Sequence, residues 1–374
     1  MIEDIAEKIV EQQVKRPYMF IGIFIILALI IAPGIFNLVN NVEPSLEKVL
    51  PSDIQEVKTM NNMRTQFGAD MMYLIVYPEN PITDIREPEF IKYQELLVQK
   101  IKTREYIDDV NSMSGIIKSK NNEVIPNSLN EIKSLIKNDP FIYQYTNQDY
   151  SFSVIRIRSD TGSNAKIIKQ VVNDIKYDIE SIEELNPGAR IEITGFNAID
   201  KATFEVIMAD FAKITAISML LVGIVVFITF KSFAKGMLPM IVVMNALLWT
   251  MGIVGYLNLT ITVVTMVAAA MIMGLGIDFG IHVVHSYFQK KKKKGDKKAL
   301  TEVVRELLRA MVGASLTTIA GFLALLFGVL PAMKTLGIIL AIGILNTLIG
   351  AVFLLPVVTY IYDRSNLSGK FKGL

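Results

Sequence analysis

Long uncharged runs at both ends of the chain bracket a charged middle. Tyr18–Val39 is one unbroken run of 22 uncharged residues behind Lys15-Arg16, long enough to cross a bilayer as a retained span. Residues 1–17 precede it, with Ile5, Ile9 and Val10 at helical spacing. They predict a short amphipathic helix on the membrane surface or a frayed terminus. Pro33-Gly34 predicts a kink where the span ends. From Asn40 to Lys213 charges recur and no run is long enough to span, which predicts a water-exposed domain over 40–213.

The middle alternates between periods of 3.6 and 2. Helices are expected at Ser52–Phe67, Pro88–Arg104 and Ser163–Glu184, with a shorter one at Ser128–Lys137. Strands are expected at Met71–Tyr77, Phe152–Ile157 and Arg190–Thr194, with a weaker one near Asp108–Ile116. Two βαβ-like units in succession predict an α+β domain of the ferredoxin-like, split-βαβ kind.

Beyond Lys213 the apolar runs return. Ile214–Phe230 is a second span, and Gly236–Ile277 runs 42 residues without a charge, about two crossings, with Gly255-Tyr-Leu-Asn258 as their turn. The fourth span continues within Thr262–Phe288. Ala310–Met333 and Thr335–Tyr362 follow, separated by a loop at Pro331–Lys334, and 363–374 form a polar tail. The expected fold is therefore a membrane α-helical bundle of six transmembrane helices at 18–39 and 214–362, with an α+β domain inserted after the first. A basic loop is expected at 290–309, its Ala299–Leu308 stretch lying on an anionic leaflet.

Composition agrees: 52% of residues are hydrophobic and the mean hydropathy is +0.42, too apolar for an ordinary soluble chain. Cysteine is absent, which removes disulfides and cysteine-ligated metals. The net charge of +2 matters less than its placement. Lys15, Arg16, Lys231, Lys235, Lys290–Lys294, Lys297, Lys298, Arg305, Arg309, Arg364 and Lys370 share one side under alternating topology, against Lys334 opposite. That asymmetry places both termini in the cytoplasm of a multi-pass cell-membrane protein and 40–213 outside it.

Between Ile214 and Tyr362 one acid falls within a span, Asp278, ~18 Å of helix from Lys290. Desolvation favours its neutral form, and a group neutral when dry and charged when wet can carry a proton. His282 and His285, the two histidines of the chain, follow toward the cytoplasm and extend a proton relay. A structural hydrogen bond is the plainer role for Asp278, and solvated tips for the histidines. Three such ligands on one helix seldom close around a metal, so no metal is expected. Asn245, Ser315, Thr317, Thr318 and Asn346 lie at comparable depth and are expected to line a polar crevice, or to bond between helices. Gly274, Gly276 and Gly280 leave α-helical surface bare for close helix packing. No nucleotide-binding signature occurs, no cofactor is implied, and nucleic acid is not an expected partner. Gly274-Leu-Gly-Ile-Asp278 with Tyr362-Asp363 is reminiscent of intramembrane aspartyl proteases, but the order is reversed, and two catalytic acids must share a site; an enzyme is not expected.

Six spans, an exported domain after the first, Gly274-Leu-Gly-Ile-Asp-Phe-Gly-Ile-His282, and Gly313-Ala-Ser-Leu-Thr-Thr-Ile-Ala-Gly321-Phe together resemble one half of a resistance-nodulation-division (RND) exporter. Within it they most resemble the mycobacterial-membrane-protein-large and hopanoid-exporter branch. The resemblance implies proton-driven efflux of lipidic or hydrophobic molecules, a porter domain outside, and Asp278 as the relay acid. Phe279 stands where that branch commonly has tyrosine. Full-size members carry twelve spans, so the half-size chain implies a homo-oligomer, a dimer before a trimer. Membrane lipids and a hydrophobic substrate are the other expected partners. A protein-export accessory component and a sterol- or lipid-sensing membrane protein share this topology.

Overall fold

The computed structural model describes residues 2–43, 49–67, 71–161 and 164–365. It divides into two compact units, Met1–Pro51 with Val206–Leu374, and Ser52–Glu205. The last nine residues of the expected polar tail lie outside the described residues.

Helix α1 spans Ile2–Lys15, α2 Pro17–Ile31 and α3 Gly34–Asn40. Pro17 opens α2, where its missing N–H costs nothing. The break between α2 and α3 falls at Ala32-Pro33, where proline disfavours continued helix.

In the second unit the order is α4 (Gln55–Phe67), β1 (Met71–Pro78), α5 (Pro88–Lys102), β2 (Ile107–Asn111), α6 (Met113–Lys120), α7 (Leu129–Ile136), β3 (Ser153–Ser159), α8 (Ala165–Glu180) and β4 (Ala189–Gly195). The four strands form one sheet in the order β2-β3-β1-β4, each neighbour antiparallel. Helices α5 and α8 carry the β1-to-β2 and β3-to-β4 crossovers. Alternation sets the covered face: Met72, Leu74, Val76, Ile155 and Ile157 are fully buried while their neighbours on the strands are half-buried. Leu97, Ile101, Val171, Val172 and Ile175 pack against them from the helices. Arg104 at the end of α5 makes two hydrogen bonds to buried Asp178 on α8 (2.9 and 2.5 Å), joining the helices over the sheet. Asn164 caps α8 by accepting from the backbone N–H of Lys166 (3.0 Å).

The expected strand at Asp108–Ile116 is half strand and half helix. Pairing with β3 ends at Asn111, and α6 begins two residues later. Helical spacing places both Met113 and Ile117 in the core, which a strand placing them on one face would do less compactly.

The first unit resumes within α9 (Phe196–Phe230) and continues through α10 (Phe233–Tyr256), α11 (Ala268–Lys294) and α12 (Asp296–Glu306). A π-helical turn at Leu307–Met311 leads into α13 (Val312–Leu323). Then come α14 (Pro331–Ile349), a second π-turn at Gly350–Leu354, and α15 (Leu355–Arg364). Among the described residues six helical stretches are long and apolar enough to cross a membrane: Pro17–Leu38, Phe196–Phe230, Phe233–Tyr256, Thr265–Lys294, Asp296–Phe327 and Pro331–Arg364. The third, fourth and sixth form the interior, and the other three present mostly uncovered apolar surface, as lipid contact requires.

Four boundaries differ from expectation. α9 starts at Phe196, not Ile214, because charged residues on an otherwise regular helix do not break it. Gly255 is helical, and the turn lies at Leu257-Asn258. Its glycine serves a close crossing instead, since a Cβ there would stand 1.9 Å from the carbonyl oxygen of Gly34. Pro331–Lys334 is the first turn of α14, with proline again at the start, and the helix is interrupted before it at Gly328–Leu330. Residues 290–309 are helical except at Gly295, whose positive φ of 77° turns the chain between α11 and α12.

That turn folds α12 back onto the bundle. Ala299, Leu300, Val303 and Val304 are buried against Ala6, Val10 and Tyr287, so the amphipathic faces of α1 and α12 cover each other and not a leaflet. Gln13 of α1 is buried and donates from Nε2 to the carbonyl of Val352 (2.9 Å), in the second π-turn. A π-turn displaces the i→i+4 pattern, and the glutamine takes up an acceptor there.

Candidate functional site: the Asp278 groove

Helix α11 determines which way Asp278 points. Gly276 lies against Thr347 of α14, where a Cβ would meet Cγ2 at 2.8 Å, and Gly280 lies against Pro239 of α10, where it would meet Cβ at 2.6 Å. Asp278 stands two residues from each, ~200° around the helix. With both glycines inward, the carboxyl faces out. Gly274 shares that outward stripe and has open space around it, so the three glycines divide into two packing positions and one bare one.

Outward does not mean onto a featureless face. Asp278 lines a groove of about 520 Å³ between α11 and the α12–α13 segment. His282 and Ser286 line it at successive turns of α11, and Glu306 lines it from the end of α12. The walls are otherwise apolar, with Phe279, Val283, Leu307 and Met311 among them. At the lysine-rich end Glu306 is ion-paired to Lys290. Ser286 and Glu306 were not singled out by sequence. Ser286 continues the four-residue spacing of Asp278 and His282 and was legible; Glu306 reaches the groove by the fold-back of α12, which no spacing encodes.

The remaining candidates lie elsewhere. His285 is exposed and does not line the groove. Asn346 is buried and donates to Thr250 (3.1 Å), which donates in turn to the carbonyl of Ala246 (2.6 Å), an α14–α10 tie inside the bundle. Asn245 is half-buried on α10, and its amide nitrogen has no partner among the described residues. Ser315 is fully buried, its hydroxyl also unpartnered there. Thr317 and Thr318 bond back to the carbonyl of Ala314 (2.8 and 2.9 Å). None of the five is among the residues that line the groove with Asp278: Asn346 bonds across the bundle to Thr250, Ser315 is buried, and Thr317 and Thr318 bond back to their own helix.

Asp363, the second acid of the protease comparison, accepts a hydrogen bond from Tyr287 (2.9 Å) and pairs with Lys291. Tyr287 is nine residues beyond Asp278, ~13 Å along α11, so the two acids do not share a proton.

A family model described as the MMPL family matches residues 48–372. The chain belongs to the MMPL family. It is similar to MJ1562 of Methanocaldococcus jannaschii, named as a membrane protein, with 29% identity over 97% of this chain and 95% of that protein. ActII-3 of Streptomyces coelicolor, also named as a membrane protein, is 29% identical over 56% of this chain and 32% of its own length. MmpL4 of Mycobacterium leprae, named as a transport protein, is 24% identical over 55% of this chain and 22% of its own. This MMPL-family chain is thus a multi-pass membrane protein, and its match to MJ1562 runs along nearly the whole length of both.

Proposed function

We propose that this MMPL-family protein is a proton-coupled exporter of lipidic or other hydrophobic molecules that works as a homo-oligomer, with Asp278 as its proton-relay acid. Asp278 in the groove carries the reading. A carboxyl at mid-span is costly against acyl chains and is retained where it titrates or meets a polar surface. On a single copy its side is open, along an exposed stripe with Leu275 and His282. A second copy seated there completes the surroundings that the carboxyl needs, which favours a dimer.

The strand order β2-β3-β1-β4 supports reading the sheet domain as a ferredoxin-like porter domain, held extracytoplasmic by the placement of lysine and arginine, with both termini cytoplasmic. The transport name of MmpL4 supports the same class. The test is cargo release from vesicles under an imposed pH gradient. Asp278→Asn is expected to abolish gradient-driven transport while leaving folding intact. Full activity in that variant removes the relay.

A further inference from the structure

Asp278, His282, Ser286 and Lys290 follow one another at four-residue intervals, a single stripe of α11 with ~6 Å of rise per step. Such steps exceed a hydrogen bond, so a proton moving along them needs water between the side chains. The groove, about 520 Å³, is large enough for such waters, and Asp278, His282, Ser286 and Glu306 are the polar groups along it that would hold them. Glu306 stands at its end, paired to Lys290, and is the groove's second carboxylate.

Resting on the proton-coupled reading above, we infer that Glu306 is the proton-exchange group at the lysine-rich mouth, taking the proton that leaves Asp278 by way of His282 and Ser286. The segment that bounds the mouth is strongly basic in sequence, with Lys290–Lys294, Lys297 and Lys298, and a positive field impedes a hydrated proton crossing it unaided. Glu306 is the carboxylate nearest that mouth, and it can take the proton when its pair with Lys290 opens. Other lysines of the cluster are engaged elsewhere, Lys291 with Asp363 and Asp296, Lys294 with Glu302 (2.6 Å). Lys290 is the lysine of the cluster seen paired with Glu306 among the described residues. When Glu306 takes a proton it releases Lys290, and when it gives the proton to water the pair re-forms across the mouth.

Glu306 is paired with Lys290 of α11, and the elements packed against its segment carry further charged groups, among them Lys294 of α11, Glu302, Arg305 and Arg309 of its own segment, Asp4, Glu7, Lys8 and Glu11 of α1, and Asp363 and Arg364 of α15. Asp363 is already held by Lys291 and Tyr287.

The chain has no cysteine, so single cysteines report hydration without background. In vesicles of phosphatidylethanolamine and phosphatidylglycerol, Ser286→Cys and Ala310→Cys are expected to react with a membrane-impermeant thiol reagent from the lysine-rich face. Leu316→Cys, on the lipid face, is not. Proton flux after a pH step is then compared across variants of the full chain, each checked for monodispersity. Glu306→Gln is expected to slow flux about tenfold and flatten its pH profile. Glu306→Asp should hold the rate within about twofold. Glu302→Gln, outside the groove, should leave the profile unchanged. Should Glu306→Gln fail to fold, Lys290→Gln carries the test. Its profile is expected to move toward higher pH, since a carboxylate protonates more readily without its cation.

Unreactive Ser286→Cys overturns the inference. So does a wild-type flux and profile in Glu306→Gln, while Asp278→Asn is inactive; the relay reading then survives. Wild-type flux in Asp278→Asn, or no flux in the wild type, removes that reading and this inference with it.

Discussion

Replacing Gly255 by alanine adds one methyl group at the tightest crossing in the first unit. That Cβ would stand 1.9 Å from the oxygen of Gly34 and 2.7 Å from its carbonyl carbon. Carbon and oxygen do not approach much below ~3.3 Å, so the helices must part by roughly 1.4 Å. The opposing atoms are backbone, so no rotamer change relieves the contact. Neighbouring positions are equally committed, since a Cβ at Gly34 would lie 2.1 Å from the oxygen of Gly252, and one at Gly252 would lie 2.3 Å from that of Ile31. Overpacking costs ~1–3 kcal/mol where side chains can adjust; here the top of that range, about 3 kcal/mol, is expected. For a unit of this size that lowers the melting midpoint by about 6–12 °C. The chain's one tryptophan, Trp249, stacks on Phe24 of α2 at 5.0 Å beside this crossing, so its emission in detergent reports the seam directly. Gly274→Ala is the control, with nothing near its Cβ and helix propensity in its favour by up to ~1 kcal/mol. An unchanged midpoint and emission in Gly255→Ala would refute the reasoning.

Three further outcomes are expected. Gln13→Ala leaves the Val352 carbonyl without its donor, at a cost of about 1–3 kcal/mol, and hydrogen exchange across Ile2–Lys15 should quicken at least tenfold while α5 stays protected. Asn346→Leu removes the tie to Thr250 and should cost about 1 kcal/mol or less in thermal stability, and under the proposed relay it should leave unaltered the pH dependence of transport that Asp278→Asn is expected to abolish. Asp84 is pushed up by partial burial, but hydrogen bonds from Arg86 (2.8 and 2.7 Å) and Lys133 (3.0 Å) outweigh this and hold its carboxyl at about 2, below 3.8. With a depressed folded value, its contribution is present above pH ~4 and lost as pH falls toward ~2. Asp84→Asn should therefore destabilise the loop around it at pH 6, read by hydrogen exchange, by about 1 kcal/mol after screening, and the gap from wild type should close as pH approaches 2.

Local chemistry determined much of this protein. Runs too apolar and too long for water prescribe six spans, since a helix in lipid must satisfy its own backbone. Period-two alternation at Met71–Tyr77 and Phe152–Ile157 prescribes strands, because one sheet face is buried and the other is not. A mid-span acid flanked by glycines marks Asp278 from composition alone. What the chain could not state is which surfaces meet. A helix stripe has an apolar side but no named partner, so α1 and α12 read as membrane-lying until each is found covering the other. Gly255 looks like a turn residue until Gly34 is found against it. Depth along a span is legible from residue count, but azimuth is not. Asn245, Ser315 and Asn346 therefore read as neighbours of Asp278, until Gly276 and Gly280, packed inward on Thr347 and Pro239, turn the carboxyl to the far side and leave it with Glu306.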